Sequence, residues 1–373
     1  MSESVNKIET DLLGQHIEEL TNLVGRLGQP SYRAQQIFHS LYRERVNSLE
    51  DVTTLPKSLL ESMQQQGIGI CSAKIDQRFI SRDGTIRYLI RFGDGQSVET
   101  VWMPEGDGGE AGDGTEAGED ETSGIRTNFI RTTICVSSQV GCAVNCKFCM
   151  TALLGLKRNL TTGEIVGQIT AVLNDHHVDM ERERVNLVFM GQGEPFHNYD
   201  NFIKAVRLLV EGVGFSESRM TVSTSGIVPR IADLGKEAIR PKLAISLNAS
   251  NDAERTKLIP INKRWDIAAL VEAAKAFPLR NRERLTFEYV LLDQENDSPD
   301  NAREVVNIVR GLKAKVNLIA WNSGPEIPFT TPSDSRVHDF QKILTEAGVP
   351  AFIRRPRGRD IYAACGQLKQ TMS

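Results

Sequence analysis

The sequence lacks the features of a membrane-spanning or secreted protein. No apolar run approaches the roughly 18 residues that a membrane-spanning helix needs, and residues 1–7 contain no apolar segment like that of a secretory signal. Cysteine is scarce, with six in 373 residues, and three of the six fall in one short loop. Because free thiols and metal centres persist in reducing compartments, we expect a cytoplasmic protein that does not associate with membranes.

A strong net charge is also missing, and the small excess of acid has a local origin. Residues 105–121 contain eight acidic and no basic side chains, so the rest of the chain carries 44 basic against 40 acidic residues. This mildly basic remainder permits a nucleic-acid partner without requiring one. Residues 105–124 have no large apolar side chain, so we predict a disordered acidic loop over residues 104–125.

The apolar pattern predicts an α/β fold preceded by a small helical section. Helical stripes occupy residues 1–73, and period-two alternation around Asp83-Gly84 predicts a β-meander linker over residues 74–103. From residue 126 to residue 373, strands alternate with helices as in a (β/α) barrel, which we expect to be partial although the sequence does not decide its closure. The candidate strands are Thr132–Val136, Val185–Met190, Met220–Ser223, Lys242–Ser246, Leu285–Leu291, Lys315–Ile319 and Ala351–Arg354. A doubly wound sheet is the alternative, but no Gly-x-Gly-x-x-Gly follows the first strand.

The three clustered cysteines form a Cys-x3-Cys-x2-Cys motif of Cys142, Cys146 and Cys149. Three thiolates at this spacing can bind one face of an iron–sulfur cubane and leave one iron open for chemistry. The alternative is a structural zinc site with a distant fourth ligand such as Cys135.

Small or polar residues follow the other candidate strands, where a (β/α) barrel has its active site. They are Gly191–Pro195, Ser223–Gly226, Ser246–Asn248, Trp321-Asn322 and Arg357–Asp360. Each alone is typical of an ordinary turn, but six sites in register, counting the cysteine loop, predict a ligand pocket. His176, His177 and His197 are interpreted as solvated surface residues.

With Phe148 before the last cysteine, the motif resembles the radical S-adenosylmethionine (SAM) superfamily. The segments Thr133–Cys142 and Asp360–Leu368 resemble its RlmN/Cfr branch, which methylates adenines in RNA. The resemblance runs from about Tyr32 to Leu368. The acidic loop is longer than the turn usual in this branch.

The resemblance implies two cofactors and a set of ligands for each. A 4Fe-4S cluster would be bound by Cys142, Cys146 and Cys149. SAM, used twice per turnover, would be bound by Gly193, Glu194, Ser223, Ser246, Leu247, Asn248 and Asn322. The sequence departs from the superfamily's Gly-Gly-Glu-Pro pattern at Gln192, and relatives can carry histidine at position 248.

The resemblance also implies three catalytic residues. Cys365 would accept a methyl group from one SAM, and a radical derived from the second SAM would activate that methyl for addition to adenine. Cys135 would resolve the protein–RNA adduct by forming a disulfide with Cys365, and Glu99 would be the general base. By themselves, the two cysteines are typical of buried small hydrophobes and Glu99 of a strand carboxylate facing solvent.

The substrates implied are 23S rRNA and tRNA, methylated at adenine carbon 2 by a monomer that takes electrons from a donor such as flavodoxin or ferredoxin. The RNA-contacting candidates are Arg354, Arg355, Arg357, Arg359, Lys157 and Arg158, together with the helical N-terminal section. Two alternatives stay open: methylation of carbon 8, as in Cfr, and a zinc-dependent RNA-binding protein without catalysis. The sequence does not identify the tRNAs, the reductant or the role of the acidic loop.

Overall fold

The central feature of the fold is a ten-stranded sheet, seen in a computed structural model that describes residues 8–71, 73–104, 131–354 and 356–369. Its strand order is β14-β13-β12-β11-β10-β9-β6-β5-β4-β3. The strands are β3 Lys74–Ile80, β4 Ile86–Arg91, β5 Ser97–Pro104, β6 Arg131–Cys135, β9 Arg184–Phe189, β10 Met220–Thr224, β11 Lys242–Ser246, β12 Leu285–Leu291, β13 Ala314–Ala320 and β14 Ala351–Ile353. Most of the predicted acidic loop, and also Arg355, lie outside the described residues.

The sheet has a parallel part and an antiparallel part. From β6 through β14 neighbouring strands run parallel, whereas β3, β4 and β5 pair antiparallel with one another and β5 pairs antiparallel with β6. Within the described ranges, β3 and β14 are the two edges and do not pair with each other. The sheet is therefore an open barrel, and the predicted α/β barrel fold with partial closure is confirmed.

Helices cover the parallel strands and connect them, as βαβ units require. They are α4 Thr162–Asp175, α5 Tyr199–Leu208, α6 Val228–Lys236, α7 Asp252–Leu258, α8 Ile267–Ala276, α9 Pro299–Val309 and α10 Asp334–Glu346. Helix α4 begins at the capping box predicted around Thr161, whose hydroxyl accepts a hydrogen bond from the Glu164 N–H (3.1 Å). No helix in the described residues is both long and apolar enough to cross a bilayer.

The N-terminal section is helical and packs on the barrel. It contains α1 Ile17–Arg26, α2 Tyr32–His39 and α3 Lys57–Gln65, and a short sheet of β1 Thr10–Asp11 and β2 Ile68–Gly69. Tyr42 lies fully buried between this section and the barrel, where a Cβ added to Gly212 would stand 2.8 Å from the Tyr42 Cβ. The Arg45 guanidinium donates to Val178 O (2.8 Å). These contacts join the N-terminal helices to the barrel core.

The predicted meander extends the barrel sheet, since Val101 of β5 pairs with Cys135 of β6. A small hairpin of β7 Gln139–Gly141 and β8 Leu156–Asn159 brackets the three-cysteine loop. The predicted boundaries of the four segments stay predictions.

Candidate active site

The carboxyl ends of the parallel strands surround one cavity, whose empty volume is about 970 Å³ including its open mouth. The predicted site residues that line it are Cys142, Cys146, Cys149, Gly193, Glu194, Ser223, Ser246, Asn248, Asn322 and Cys365. The fold thus brings the three-cysteine loop, the strand ends and the distant Cys365 to one place.

The three-cysteine loop is fixed by backbone contacts on both sides. The Cys142 N–H donates to Gly155 O (3.1 Å), and the Lys147 N–H donates to Leu258 O (2.9 Å). Gly141 precedes the loop with a φ of +78°, and a Cβ there would lie 1.7 Å from Gly155 O. Only glycine fits this position, because both the backbone conformation and the close approach exclude a side chain.

The thiols face the cavity from an apolar wall. Val144, Phe148 and Trp321 form a buried cluster against which the three cysteines pack. Burial raises the pKa of Cys142 to about 12, and the charge of Cys149 acts in the same direction. Thiolates in this position therefore need positive charge beside them, which iron ions supply.

The donor set fits an iron–sulfur cluster. In an iron–sulfur cubane each thiolate binds a different iron. Cys142, Cys146 and Cys149 line one cavity and pack against one apolar cluster, so their thiolates can bind one face of such a cluster. In the described part of the chain, no group of three His, Cys, Asp or Glu side chains is arranged to bind one metal ion.

Glu194 follows β9 and is held by backbone amides. Its carboxylate accepts hydrogen bonds from Phe196 N–H (3.0 Å) and Ser225 N–H (2.7 Å). Gly193 has a φ of +99°, and a Cβ there would stand 2.6 Å from the Gln139 Cβ. The carboxylate is therefore fixed on the cavity wall, where it can face a cation such as an ammonium group.

The ends of β10 and β11 contribute hydroxyl and amide groups. The Ser223 and Ser246 hydroxyls are 3.2 Å apart. Asn248 has a left-handed φ of +55°, and its Oδ1 accepts from the Val290 N–H (2.8 Å). Leu247 does not line the cavity, because its side chain is buried in the main apolar core. Any contact with a ligand there would be through its backbone.

Arg255 was missed by the sequence reasoning and lies directly behind this wall. It is fully buried, and its guanidinium donates to the carbonyl oxygens of Ser225 (2.7 Å), Ser246 (2.9 Å) and Leu247 (3.0 Å). Burial lowers its pKa to about 10, while the Cys146 charge opposes this shift. No motif marks it, since a single arginine on α7 looks like an ordinary solvated helix residue in the sequence.

Cys365 is exposed to the cavity on a segment that is tied to the three-cysteine loop. Gly366 O accepts from the Met150 N–H, and Leu368 O accepts from the Thr151 hydroxyl, each at 2.7 Å. Burial raises the pKa of Cys365, and the guanidinium of Arg354 opposes the rise. These two hydrogen bonds, from Met150 and Thr151 directly after the three-cysteine loop, therefore fix the position of the Cys365 segment relative to that loop.

Cys135 packs in a small apolar cluster with Ala363 and Leu368, which lie two residues before and three residues after Cys365. Burial raises its pKa to about 12, and the charge of Cys365 adds to this effect. The segment that carries Cys365 thus packs on Cys135, and both cysteines are free thiols. This places a second thiol within the same part of the fold, outside the cavity lining.

Glu99 does not face solvent, contrary to what its strand position alone suggests. It is 1% exposed, forms an ion pair with the equally buried Arg87, and accepts from Gln192 Nε2 (3.2 Å). Glu99 does not line the cavity, but its partner Gln192 stands between Gly191 and Gly193, which do. The meander strand β5 turns this carboxylate inward.

The predicted RNA-contacting cations differ in their surroundings. Lys157 is exposed, whereas Arg158 is engaged by Asp94 and Glu164, each at 2.7 Å. Arg359 donates to Asn322 Oδ1 (2.8 Å). Arg357 is half-buried, and Arg354 lies inside the cavity. Arg354 is therefore a cavity residue rather than part of an exposed basic loop.

His176 is also placed differently from the prediction of solvated surface. Its ring stacks on Trp102 with centroids 3.7 Å apart, and it shares a hydrogen bond of 2.8 Å with the Tyr88 hydroxyl. His177 and His197 are exposed, as expected.

The open α/β barrel, with three cysteines and a strand-end pocket at one end, defines a radical SAM enzyme. The model of the radical SAM superfamily matches residues 136–306, and that of the ribosomal RNA large subunit methyltransferase N-terminal domain matches residues 10–68. A 4Fe-4S cluster and SAM are the cofactors that membership of this superfamily implies.

Individual relatives identify the family. A probable dual-specificity RNA methyltransferase RlmN from Koribacter versatilis is 66% identical, over 93% of this chain and 98% of its own. The dual-specificity RNA methyltransferase RlmN of Campylobacter jejuni subsp. jejuni serotype O:23/36 is 42% identical, over 95% and 99%. A crystal structure of a radical SAM methyltransferase from Sphaerobacter thermophilus superposes with a TM-score of 0.86 at 41% identity, over 96% of this chain and 99% of that one.

The chain therefore belongs to the RlmN family of dual-specificity RNA methyltransferases. It is a SAM-dependent radical enzyme whose substrate is RNA. This membership counts against the zinc-dependent, non-catalytic alternative.

Proposed function

We propose that the enzyme methylates carbon 2 of an adenine in 23S rRNA and of the adenine 3′ of the anticodon in tRNAs. The observation that carries this proposal is the arrangement of Cys365 and Cys135. One thiol opens into the cavity that the three-cysteine loop lines, and the second packs against Ala363 and Leu368, two residues before and three residues after Cys365.

In this proposal the cavity wall holds both cofactors. Cys142, Cys146 and Cys149 bind the cluster, and Glu194, with Ser223, Ser246, Asn248 and Asn322, surrounds SAM. When bound, the cluster and SAM supply the radical chemistry that an unreactive adenine ring carbon requires. A small electron carrier such as flavodoxin or ferredoxin would feed the cluster, and two SAM would be used per turnover.

The chain's own thiols carry the methyl group and release the product. Cys365 holds the methyl as a thioether, through which the protein becomes joined to the RNA. The Cys135 sulfur then attacks the Cys365 sulfur, and the bond between Cys365 and the transferred carbon breaks as the disulfide forms. That carbon keeps the bonding electron pair and takes up a proton, which completes the methyl group. Reduction of that disulfide by a cellular thiol restores both residues.

Glu99 is proposed as the group that takes the proton lost from the adenine ring. Its carboxylate is shielded from bulk water and held by Arg87 and Gln192. A base beside the cavity and out of contact with solvent would accept the proton only from a group inside the site.

The proposal is tested by nucleoside mass spectrometry on unmodified 23S rRNA and tRNA incubated with anaerobically reconstituted enzyme, SAM and reductant. We expect 2-methyladenosine from both RNAs, and none from Cys365→Ala. If 8-methyladenosine forms, the Cfr-type alternative holds; if neither forms on protein that holds its cluster, the substrate assignment is wrong.

A further inference from the structure

Glu288 is a buried carboxylate on the cavity wall to which no role is assigned above. It lies on β12, is 5% exposed and lines the cavity together with Arg354 and Cys365. Its Oε1 accepts from Asn317 Nδ2 (3.1 Å) and lies 3.7 Å from Arg354 Nη1. Its Oε2 has no hydrogen-bond partner among the described residues.

An unpartnered carboxylate oxygen at a buried position is costly, because water is lost and nothing replaces it. Such a group in a native cavity is explained when a ligand supplies the missing donor. The Oε2 atom of Glu288 therefore calls for a ligand with an N–H or O–H group. Arg354 beside it carries a guanidinium, which can only donate, so the pair presents one acceptor and one donor side by side.

The cavity that this pair shares with Cys365 points to the ligand. Glu288, Arg354 and Cys365 all line that cavity. In the proposed function the adenine must enter it to approach Cys365, because the transferred carbon is carried there. The two groups on the wall of the same cavity are therefore available to meet the substrate base.

Adenine offers the complementary pattern. Its exocyclic N6 amine donates and its ring nitrogen N1 accepts, and carbon 2 is the immediate neighbour of N1. Enzymes that act on an extruded base commonly read it through this edge. Resting on the proposed function, we propose that Glu288 and Arg354 recognise the target adenine: Glu288 Oε2 accepts from the N6 amine, and Arg354 donates to N1.

The competing occupant is SAM, whose hydroxyl or ammonium groups could also meet Glu288. The two ligands are separable because methylation of Cys365 requires SAM but no RNA. A variant that changes base recognition alone leaves the methylation of Cys365 intact, whereas one that damages the SAM pocket lowers it.

The test uses Glu288→Gln in the full-length, cluster-loaded enzyme. Asn317 and Arg354 both present donors to position 288, so the glutamine oxygen is expected to face them and its amide nitrogen to face the ligand. That nitrogen cannot accept from N6. Glu304→Gln, an exposed glutamate on α9 outside the cavity, is the matched control.

The main measurement is the dissociation constant of a 23S rRNA stem-loop that carries adenine, or purine without N6, at the target position. A well-placed base contact contributes a discrimination of about 10-fold or more. We expect the wild type and Glu304→Gln to prefer adenine by about 10-fold, and Glu288→Gln to reduce this preference to about 2-fold or less. The second measurement is the methylation of Cys365 in the absence of RNA, detected by intact-protein mass spectrometry. We expect its rate to stay within about 2-fold of the wild-type rate in both variants.

Two results would overturn the inference. One is an adenine preference that survives in Glu288→Gln. The other is a Glu288→Gln enzyme that no longer methylates Cys365, which would assign Glu288 to SAM.

Stem-loops with 1-deazaadenine and 7-deazaadenine test the Arg354 contact, and we expect only the 1-deaza base to weaken binding. Loss with the 7-deaza base instead would contradict the N1 assignment. Binding of the stem-loops needs no turnover, so the two proposals fail separately. Absence of 2-methyladenosine would contradict the proposed function, whereas an unchanged adenine preference in Glu288→Gln would contradict base recognition by Glu288.

Discussion

Individual residues in this site combine a chemical group with a local constraint. Cys365 opens into the cavity while Gly366 and Leu368, which follow it, are tied to residues next to the three-cysteine loop. Glu99 is buried with Arg87, so its carboxylate is held without contact to solvent. Both cases show a reactive group whose freedom is limited by hydrogen bonds that the neighbouring backbone or side chains supply.

His176 gives a prediction for the pH dependence of stability. Burial against Trp102 lowers its pKa below the ordinary value of 6.5. The unfolded chain therefore binds a proton at His176 at a higher pH than the folded chain does, so folding stability falls as pH drops below about 6.5 towards the folded pKa. Asp175 opposes this shift and Arg78 adds to it.

We expect His176→Gln to lose less stability than the wild type between pH 7.5 and pH 5.5, measured as the change in denaturant midpoint. The control is His177→Asn at the exposed neighbour, which has a left-handed φ of +51° that asparagine tolerates. If the stability of the wild type and of His176→Gln falls equally between pH 7.5 and pH 5.5, His176 does not contribute to the pH dependence of stability.

For individual residues, the sequence predicted the chemical role of a side chain better than its surroundings in the fold. The three-cysteine spacing and the strand-end positions led to residues that now line one cavity. Arg255 and Glu288 were missed, because a single charged residue in a helix or strand carries no pattern. Arg354 was predicted as an RNA-contacting residue, but not as a residue that lines the cavity. The family resemblance predicted Leu247 in the pocket, yet its side chain is buried in the main apolar core and does not line the cavity.

The element that organises the proposed SAM-binding wall of the cavity is the short helix α7. Through Arg255 it holds the carbonyl oxygens at the ends of β10 and β11, which carry Ser225, Ser246 and Leu247. Three buried carbonyl groups would lose their donor if this side chain were removed. Each unpartnered buried group costs about 1–3 kcal/mol.

We expect Arg255→Met to lower the free energy of unfolding by about 2–4 kcal/mol and to weaken SAM binding about 10-fold or more, because the Ser223 and Ser246 wall loosens. Denaturant unfolding and equilibrium dialysis with labelled SAM measure the two effects. Lys257→Met, an exposed site on the same helix, should change neither. Wild-type SAM affinity in Arg255→Met would contradict a positioning role.

Element boundaries followed closely from the sequence. The continuous apolar runs predicted the parallel strands to within about two residues, because strands buried on both faces have no polar alternation.

The Asp83-Gly84 hairpin was also predicted, but its contact with the Cys365 segment was not. Asp83 accepts from the Gly358 N–H (2.9 Å), and the Ser81 hydroxyl donates to Asp360 (2.5 Å), which fastens the Cys365 segment to the hairpin. Contacts between positions more than 270 residues apart leave no local signal.

At the scale of the whole molecule, one sheet connects the meander, the barrel and the site. The β5–β6 pairing brings Glu99 next to the cavity, and the buried Tyr42 joins the N-terminal helices to the barrel. RNA bound by the N-terminal helices, as the family resemblance suggests, would thus be presented to a site whose position relative to them is set by packing. The predicted accessory role of these helices stays a prediction.

The most direct test of the two-thiol mechanism is to trap the protein–RNA adduct. Cys135→Ala removes the thiol that would release the product, while Cys365 keeps its place in the cavity. We expect the variant, incubated anaerobically with SAM, reductant and a 23S rRNA stem-loop, to accumulate a covalent species that migrates slowly in denaturing gels and is digested by ribonuclease. The matched control Cys71→Ala, at a cysteine outside the cavity, should turn over without such a species. If Cys135→Ala releases free methylated RNA at the wild-type rate and forms no adduct, Cys135 is not the resolving residue and the proposed mechanism is wrong.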